Sequence, residues 1–207
     1  MNVNLYKNNQ KVMLIEPPFY RLYHDQHCLV KYPLALGYLS GCIIKNTDWS
    51  VQTYNADFNA EKKRFAPENE YISNEGFKRY LSSLKDRSMP IWNEVKKSIE
   101  EYNPSVIGIS AKTQNFISAT IVAKIAKEIN PDIKVIIGGV HPTMNGSKVL
   151  DYENIDFLCM GEGENTIVEL LNALEKNIEL NSVSGIIFKD NGKIVNTGPR
   201  SYVEDLD

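Results

Sequence analysis

The sequence predicts an α/β fold: a doubly wound, five-stranded parallel sheet with helices on both faces and a C-terminal β-hairpin. Two observations predict the sheet. Short apolar runs of strand length alternate with stretches in which apolar residues have helical spacing. The strand runs are also rich in Val and Ile at successive positions, which suits parallel strands that are buried on both faces. Five such strand–helix units in succession are typical of a doubly wound sheet.

Prolines, glycines and small polar residues punctuate the chain and delimit these elements. The predicted strands cover residues 11–16, 50–57, 105–110, 133–139 and 155–161. The predicted helices cover residues 32–46, 91–103, 115–130 and 164–177, and the third of these has apolar residues at 117, 121, 125 and 129. Asp190, Asn191 and Gly192 lie between two apolar runs in residues 184–198, which indicates the hairpin. Residues 58–90 are polar and mixed, and we interpret them as an irregular insertion with one short helix.

Length and composition limit the possible functions. With 207 residues, of which 43% are hydrophobic, we expect one α/β domain over residues 1–180 and a hairpin with the start of a linker over residues 181–207. The net charge of -3 argues against nucleic acid or an anionic membrane as a partner. The amino terminus is polar and no apolar stretch approaches ~18–20 residues, so neither a signal peptide nor a membrane span is predicted. The three scattered cysteines, Cys28, Cys42 and Cys159, are typical of reduced thiols in a cytoplasmic protein.

In doubly wound sheets, ligands bind beyond the carboxyl ends of the strands, so the loops at those ends are the informative ones. The loop at 17–33 is long and rich in aromatic residues and histidines, which favours either a functional loop or a surface loop with some apolar packing. The next three candidate segments are Ser110, Lys112, Thr113 and Gln114 after the third strand; Gly138, Gly139, His141 and Pro142 after the fourth; and Gly161, Glu162, Gly163 and Glu164 after the fifth. Their alternative explanation is helix capping, by Ser or Thr after the third strand and by Glu164 or Asn165 after the fifth.

Several common motifs are absent from the sequence. It contains no GxGxxG fingerprint, no GxxxxGK[ST] phosphate loop and no nucleophile elbow. An isolated histidine such as His141 more often packs or donates a hydrogen bond than it catalyses. These observations favour a slot lined by backbone, with little acid–base machinery.

These segments resemble a known family. "SAKT" at 110–113, with Gly138 following 25 positions after Thr113, resembles the spacing of cobalamin-binding domains. "GGVHPT", "MGEGENTIVELL" and the closing "GIIFKDNGKIVNTGPRSYVEDLD" are similar, more specifically, to the N-terminal B12-binding domain of cobalamin-dependent radical SAM enzymes. The early "PPF…YPLALGYLSG" fits the same pattern.

The resemblance implies a flavodoxin- or Rossmann-like domain that binds cobalamin. It implies that Ser110 and Thr113 face the nucleotide tail, that Gly138 and Gly139 let the tail or the corrin edge approach, and that the loop at 161–164 borders the cleft. The remaining contacts that it suggests are Pro18, Tyr20, Lys112, Gln114, His141 and Pro142.

The resemblance also implies a larger enzyme, a methyltransferase or an enzyme of cyclisation or rearrangement. S-adenosylmethionine and a 4Fe-4S cluster would belong to a radical SAM domain that follows in the same polypeptide, because the three cysteines cannot form the CxxxCxxC run of such enzymes. We therefore expect this chain to be the N-terminal part of that enzyme and to catalyse nothing alone by the radical route.

One departure concerns cobalt. Many B12 proteins ligate it from below with the histidine of an Asp-x-His-x-x-Gly motif, whereas here Asp25 and His27 are followed by Val30 in place of the glycine. His27 is the candidate ligand of this kind, and the radical SAM group generally lacks that histidine, so the resemblance implies that cobalt faces water, a loop side chain or nothing from below.

Two other classes of function were considered. A flavodoxin-like enzyme that acts on a small molecule without B12 would use His141, Glu162 and Glu164 as acid–base or orienting groups. A receiver-like signalling domain needs an acidic cluster at the strand ends, and the first strand instead ends in Glu16, Pro17 and Pro18.

Overall fold

The computed structural model describes residues 10–24, 27–28, 31–64 and 74–201, without the side chains of residues 27, 63 and 64. The strands in these residues are β1 (Lys11–Glu16), β2 (His27–Cys28), β3 (Ser50–Asn55), β4 (Lys63–Arg64), β5 (Val106–Ser110), β6 (Lys134–Gly138), β7 (Phe157–Cys159), β8 (Ile186–Asp190) and β9 (Lys193–Asn196). The helices are α1 (Tyr20–Tyr23), α2 (Leu34–Asn46), α3 (Asn74–Lys85), α4 (Pro90–Tyr102), α5 (Phe116–Ile129), α6 (Val140–Asn145) and α7 (Glu164–Lys176).

The main sheet has the order β3-β1-β5-β6-β7-β8-β9. Its first five strands are parallel, which confirms the predicted parallel sheet. The predicted hairpin is β8 and β9, and it pairs antiparallel to β7, so the sheet has seven strands rather than five. The parallel part has the flavodoxin-like order, in which the winding direction reverses between β1 and β5, and ligands bind near such a reversal.

Apolar residues at successive positions of the strands explain the two helical layers. In β1, Met13 and Ile15 belong to the core beneath α4 and α5, whereas Val12 and Leu14 belong to the core beneath α2 and α7. Side chains alternate between the faces of a strand, so a strand that is covered on both faces must be apolar throughout. The sheet is therefore doubly wound, as predicted.

The buried face of α5 differs from the spacing that the isoleucines suggested. Ile125 is buried, but Ile117 is 42% exposed. The face toward the sheet is formed by Phe116, Ala119, Val122, Ala123, Ile125 and Ala126. Small alanine side chains let the helix backbone approach the sheet closely, and this close packing outweighs the larger apolar area of the isoleucines.

A buried polar network holds Phe19 and Arg21 near the start of the long connection after β1. The carboxylate of Asp57 accepts hydrogen bonds from the backbone N–H groups of Phe19 (2.9 Å) and Arg21 (3.1 Å). The guanidinium of Arg21 is fully buried and binds both carboxylate oxygens of Glu94 at 2.7 and 2.8 Å. This pairing lowers the pKa of Glu94. The segment thus contains a helical turn, α1, rather than only a surface loop.

The insertion predicted at 58–90 contains more regular structure than its composition suggested. Helix α3 has 12 residues, and β4 pairs with β2 in a separate two-stranded sheet. Pro90 begins α4, where its missing N–H costs no helical hydrogen bond.

The described segments also bear on membrane insertion, metal binding and the state of the cysteines. None of the helices in the described segments combines the length and apolar character that crossing a membrane requires. Within the same segments, no three His, Cys, Asp or Glu side chains come together as metal ligands. The three cysteines are free thiols, of which Cys28 and Cys159 are buried.

Candidate functional site

A cleft of about 200 Å³ lies at the carboxyl ends of the parallel strands, on the face that α2 and α7 cover. Its floor is made of short side chains because Gly108 lies in the middle of β5, and Ser110 and Gly138, which are paired in register, end β5 and β6. The lining consists of Leu14, Ala35, Leu36, Leu39, Gly108, Ile109, Ser110, Ile136, Gly138, Gly139, Cys159, Gly161, Glu162, Gly163, Glu164 and Ile167. The cleft is therefore mainly apolar, with a few polar groups at its mouth.

The two adjacent glycines of the cleft have different roles. A Cβ at Gly138 would lie 3.6 Å from Cβ of Cys159, an ordinary van der Waals contact, so the fold itself has room for a side chain there. Gly139 has a φ of 101°, and a Cβ there would lie 2.9 Å from the carbonyl oxygen of Ala111. The backbone thus requires glycine at 139, whereas the missing side chain at 138 contributes space to the cleft.

Three successive strand ends are joined by hydrogen bonds. The N–H of Ala111 donates to the carbonyl oxygen of Gly138 at 2.7 Å. The hydroxyl of Thr143 donates to the carbonyl oxygen of Gly139 at 2.8 Å and accepts from the N–H of Gly161 at 3.0 Å. These bonds hold the rim of the cleft in one arrangement, and such preorganisation lowers the cost of binding a ligand.

Glu164 lines the cleft and does not cap a helix. The residue before α7 is Gly163, which makes no side-chain capping bond, so the predicted capping by Glu164 or Asn165 is wrong. Glycine fits at 163 because a Cβ there would lie 3.1 Å from Leu39 on α2. Oε2 of Glu164 is buried and has no hydrogen-bond partner among the described residues.

The cleft also contains a thiol that is protected from ionisation. Burial, more than the nearby charge of Glu164, raises the pKa of Cys159 to about 12. Burial and the same carboxylate raise the pKa of Cys42 on α2. The Glu164 carboxylate therefore acts on thiols that belong to the sheet and to the helix on the opposite wall.

His141 and Thr113 lie beside the cleft but outside its lining. The imidazole of His141 stacks on Phe116 with ring centroids 3.9 Å apart, and its Nδ1 lies 3.3 Å from Oγ1 of Thr113. Partial burial lowers the pKa of His141 below its ordinary value, which favours the neutral imidazole at pH 7. Glu162 and Glu164 line the cleft and His141 does not, so these three residues of the alternative flavodoxin-like enzyme do not share one lining.

The segment after β5 is held by an ion pair and by a capping box between Lys112 and Asn115 around the 3-10 turn Thr113–Asn115. Nζ of Lys112 lies 2.9 Å from Oε1 of Glu16, and Oδ1 of Asn115 accepts the N–H of Lys112 at 2.7 Å. Helix α5 begins after Asn115 with no side-chain capping bond, so the predicted capping by Ser110 or Thr113 is wrong. The side chains of Lys112 and Asn115 contact Glu16 at the end of β1 instead.

A second groove of about 290 Å³ adjoins the cleft where β1, β3 and β5 end. Ser110 and Ala35 line both spaces. Four of the residues predicted from sequence line the groove: Tyr20, Ser110, Lys112 and Gln114. Seven of them line the cleft: Ser110, Gly138, Gly139, Gly161, Glu162, Gly163 and Glu164. Pro18 and Pro142 are buried and line neither space. The side chain of His27 and residues 25–26 and 29–30 lie outside the described residues.

Some residues of the cleft were not predicted from the sequence. The apolar wall of α2 and the side chains of Leu14 and Ile167 form part of its lining. Gly108 was also missed, although a glycine inside the buried run "VIGIS" is a known sign of close approach. A Cβ at Gly108 would lie 2.8 Å from Cδ2 of Leu14.

Comparison with known proteins identifies the family. The sequence model of the B12-binding domain matches residues 70–171. Residues 70–171 are a B12-binding domain. The matched segment contains β5, β6 and β7 and therefore the glycine-lined floor of the cleft.

Relatives and solved structures extend this result. The chain is 38% identical over 117 residues to an uncharacterized methyltransferase of Pyrococcus horikoshii and 34% identical over 120 residues to the anaerobic magnesium-protoporphyrin IX monomethyl ester cyclase of Rubrivivax gelatinosus. Each match covers 56% of this chain, and it covers 26% and 22% of those proteins, respectively.

The fold is shared with the radical S-adenosylmethionine methyltransferase TsrM of Kitasatospora setae, solved with cobalamin and a [4Fe-4S] cluster bound. The TM-score is 0.63 at 15% identity, over 95% of this chain and 30% of that one. At this level of identity the match shows the fold alone. It extends well beyond the segment at 70–171 and thus includes the amino-terminal strands and helices.

The cleft of this B12-binding domain fits the nucleotide tail of cobalamin on three observations. The absent side chain at Gly138 leaves space that the fold does not need. The lining is mainly apolar, which suits the flat face of an aromatic base. A buried polar atom of Glu164 has no partner among the described residues, so the cleft offers an acceptor to a ligand donor.

Proposed function

We propose that this chain is the cobalamin-binding module of a radical SAM enzyme and presents the corrin to a catalytic domain. The observation that carries the proposal is the cleft between α2 and α7, whose floor lacks a side chain at Gly138 although the fold has room for one. The B12-binding domain at residues 70–171 supports cobalamin as the occupant.

The residues have distinct roles in this proposal. The cleft takes the nucleotide tail, with Ser110 and Glu164 as polar partners at its mouth and wall. The adjoining groove, with Tyr20, Lys112 and Gln114, offers a phenol, a cation and an amide to the periphery of the corrin. His141 and Thr113 form part of the outer rim beside it.

This chain contributes binding and orientation rather than acid–base chemistry. When bound, cobalamin supplies a cobalt centre that can carry and transfer a methyl group. The hydrogen-bonded strand ends hold the rim still, and the apolar lining excludes water from the tail. No protein ligand to cobalt is proposed.

The radical SAM part of the proposal concerns sequence that this chain does not span. Its relatives, a methyltransferase and a cyclase, are several times longer than the matched segment, and TsrM was solved with a [4Fe-4S] cluster. We place S-adenosylmethionine and the cluster in a domain that follows this one in the same polypeptide. The reaction of that enzyme is proposed to be methyl transfer or ring formation.

Retention of cobalamin tests the proposal. Purified chain is mixed with excess hydroxocobalamin, desalted, and examined by visible absorption against protein concentration. We expect close to one corrinoid per chain, and much lower retention by Gly138→Val under the same conditions. Desalted parent chain without corrin absorbance would contradict cobalamin binding by this module.

A further inference from the structure

We propose that Glu164 recognises the nucleotide tail by accepting a hydrogen bond from one of its O–H or N–H groups. This inference rests on the proposed binding of cobalamin. It makes Glu164 a residue that distinguishes a complete cobamide from a corrinoid that lacks the tail.

The evidence starts from an unpaired acceptor. Oε2 of Glu164 is shielded from solvent and has no hydrogen-bond partner among the described residues. Buried polar atoms are nearly always paired in folded proteins, because an unpaired one loses its hydration without compensation. Glu164 is one of the residues that line the cleft, so its carboxylate belongs to the wall that a bound molecule would contact.

The part of the chain that the structure describes does not supply the missing donor. Glu164 is the first residue of α7, where the helix dipole favours a negative charge. Among the described residues, no backbone N–H of the helix donates a hydrogen bond to Oε2. The groups whose titration it influences most directly are the thiols of Cys42 and Cys159, and the pKa of each is raised. A thiol is only a weak donor. The carboxylate therefore remains available to the cleft.

The chemistry of the tail supplies what the carboxylate requires. Every cobamide tail has a ribose hydroxyl, and some lower bases, such as adenine, add an N–H donor. Dimethylbenzimidazole has no such donor once it is attached to ribose. Either source would satisfy the same acceptor, and cobinamide, which has the corrin but no nucleotide, has neither.

Corrinoid binding by a matched set of variants tests the inference. The chain and its variants Glu164→Leu and Glu164→Gln are titrated with cobalamin, adeninyl cobamide and cobinamide by isothermal titration calorimetry. Glu153→Gln, at an exposed position away from the cleft, is the control for loss of one negative charge. Melting curves confirm that each variant is folded.

We expect Glu164→Leu to weaken cobalamin binding about 10- to 100-fold, the effect of losing a hydrogen bond to a charged group. Cobinamide binding should change little, and Glu164→Gln, which retains an oxygen acceptor, should restore most of the affinity for cobalamin. An equal loss for both cobamides would assign the donor to ribose, and a larger loss for adeninyl cobamide would assign it to the base.

Two results would overturn the inference while leaving cobalamin binding intact. The first is a Glu164→Leu variant that binds cobalamin as tightly as the parent. The second is an equal loss of affinity for cobalamin and cobinamide, which would show that Glu164 acts on the corrin or on the fold. Failure of the parent chain to bind any of the corrinoids would instead contradict the proposed function itself.

Discussion

Gly138 and Gly139 should respond oppositely to substitution if the cleft holds a ligand. At Gly138 the nearest atom to an added Cβ is 3.6 Å away, so the two methyl groups of valine would extend into the cleft of about 200 Å³. Overpacking of a close-fitting site costs about 1–3 kcal/mol, which corresponds to about 5- to 150-fold weaker binding. Without ligand, replacing a strand glycine should be neutral or stabilise the chain by about 0.5–1 kcal/mol.

At Gly139 the cost should fall on folding. Its φ of 101° and the 2.9 Å approach of a Cβ to the carbonyl oxygen of Ala111 make Gly139→Ala a strained variant. Such strain costs about 1–3 kcal/mol, and each kcal/mol lowers the melting temperature of a chain of this size by about 2–4 °C.

Cobalamin titrations and melting curves by circular dichroism, run on both variants, separate the two effects. We expect Gly138→Val to keep the parent melting temperature and lose affinity, and Gly139→Ala to lose melting temperature. A Gly138→Val chain that is fully folded and binds cobalamin like the parent would refute the placement of the ligand in this cleft.

Three further predictions concern residues whose titration or burial is perturbed. Because Arg21 is fully buried and Glu94 is 33% exposed, Glu94→Ala should lower the free energy of unfolding in urea at pH 7 by about 2 kcal/mol. Arg21 lowers the pKa of Glu94. The stability that the ion pair contributes should therefore be complete above the ordinary glutamate pKa of about 4.3 and disappear as the pH falls through the lowered pKa. A difference in unfolding free energy between parent and Glu94→Ala that persists unchanged to pH 2 would contradict this prediction. With a pKa of about 12, Cys159 has a thiolate fraction of ~10⁻⁴ at pH 8 and should escape modification by a thiol reagent in the folded chain, as mass spectrometry would reveal; its labelling ahead of Cys42 would be inconsistent with this burial. His141→Ala should change cobalamin affinity by only about twofold at pH 7, and a complete loss of binding would place His141 in the site.

Much of the fold could be predicted because burial on both sheet faces requires continuous apolar runs. Asn191 and Gly192 likewise indicated the hairpin, since the turn needs positive φ at both positions, and they have φ values of 47° and 79°. The face of α5 could not be predicted in the same way. Apolar spacing favoured Ile117, but the buried face of the helix contains alanines such as Ala119. How much such a small side chain stabilises the packing depends on how closely the helix approaches the sheet.

The candidate site was partly predictable for a topological reason. Ser110, Gly138 and the loop at 161–164 end three parallel strands, and such ends meet at one edge of a sheet. The sequence could not indicate that Thr143 would join two of these ends. It was also insufficient to place Glu164, because a carboxylate at a helix start suits capping and ligand contact equally.

The pairing of Arg21 with Glu94 was not predictable either. The two residues are 73 positions apart, and their contact joins α1 to α4 across the tertiary structure. An arginine in a loop of mixed composition is ordinarily exposed. The burial of Arg21 depends on tertiary contacts, which a local sequence pattern does not indicate.

A crystal structure of the chain loaded with cobalamin tests the central claim most directly. The account predicts density for the lower base and ribose in the cleft between α2 and α7, against Gly138 and within hydrogen-bond distance of Glu164. Cobalamin bound with its tail outside that cleft, and the cleft unchanged, would contradict it.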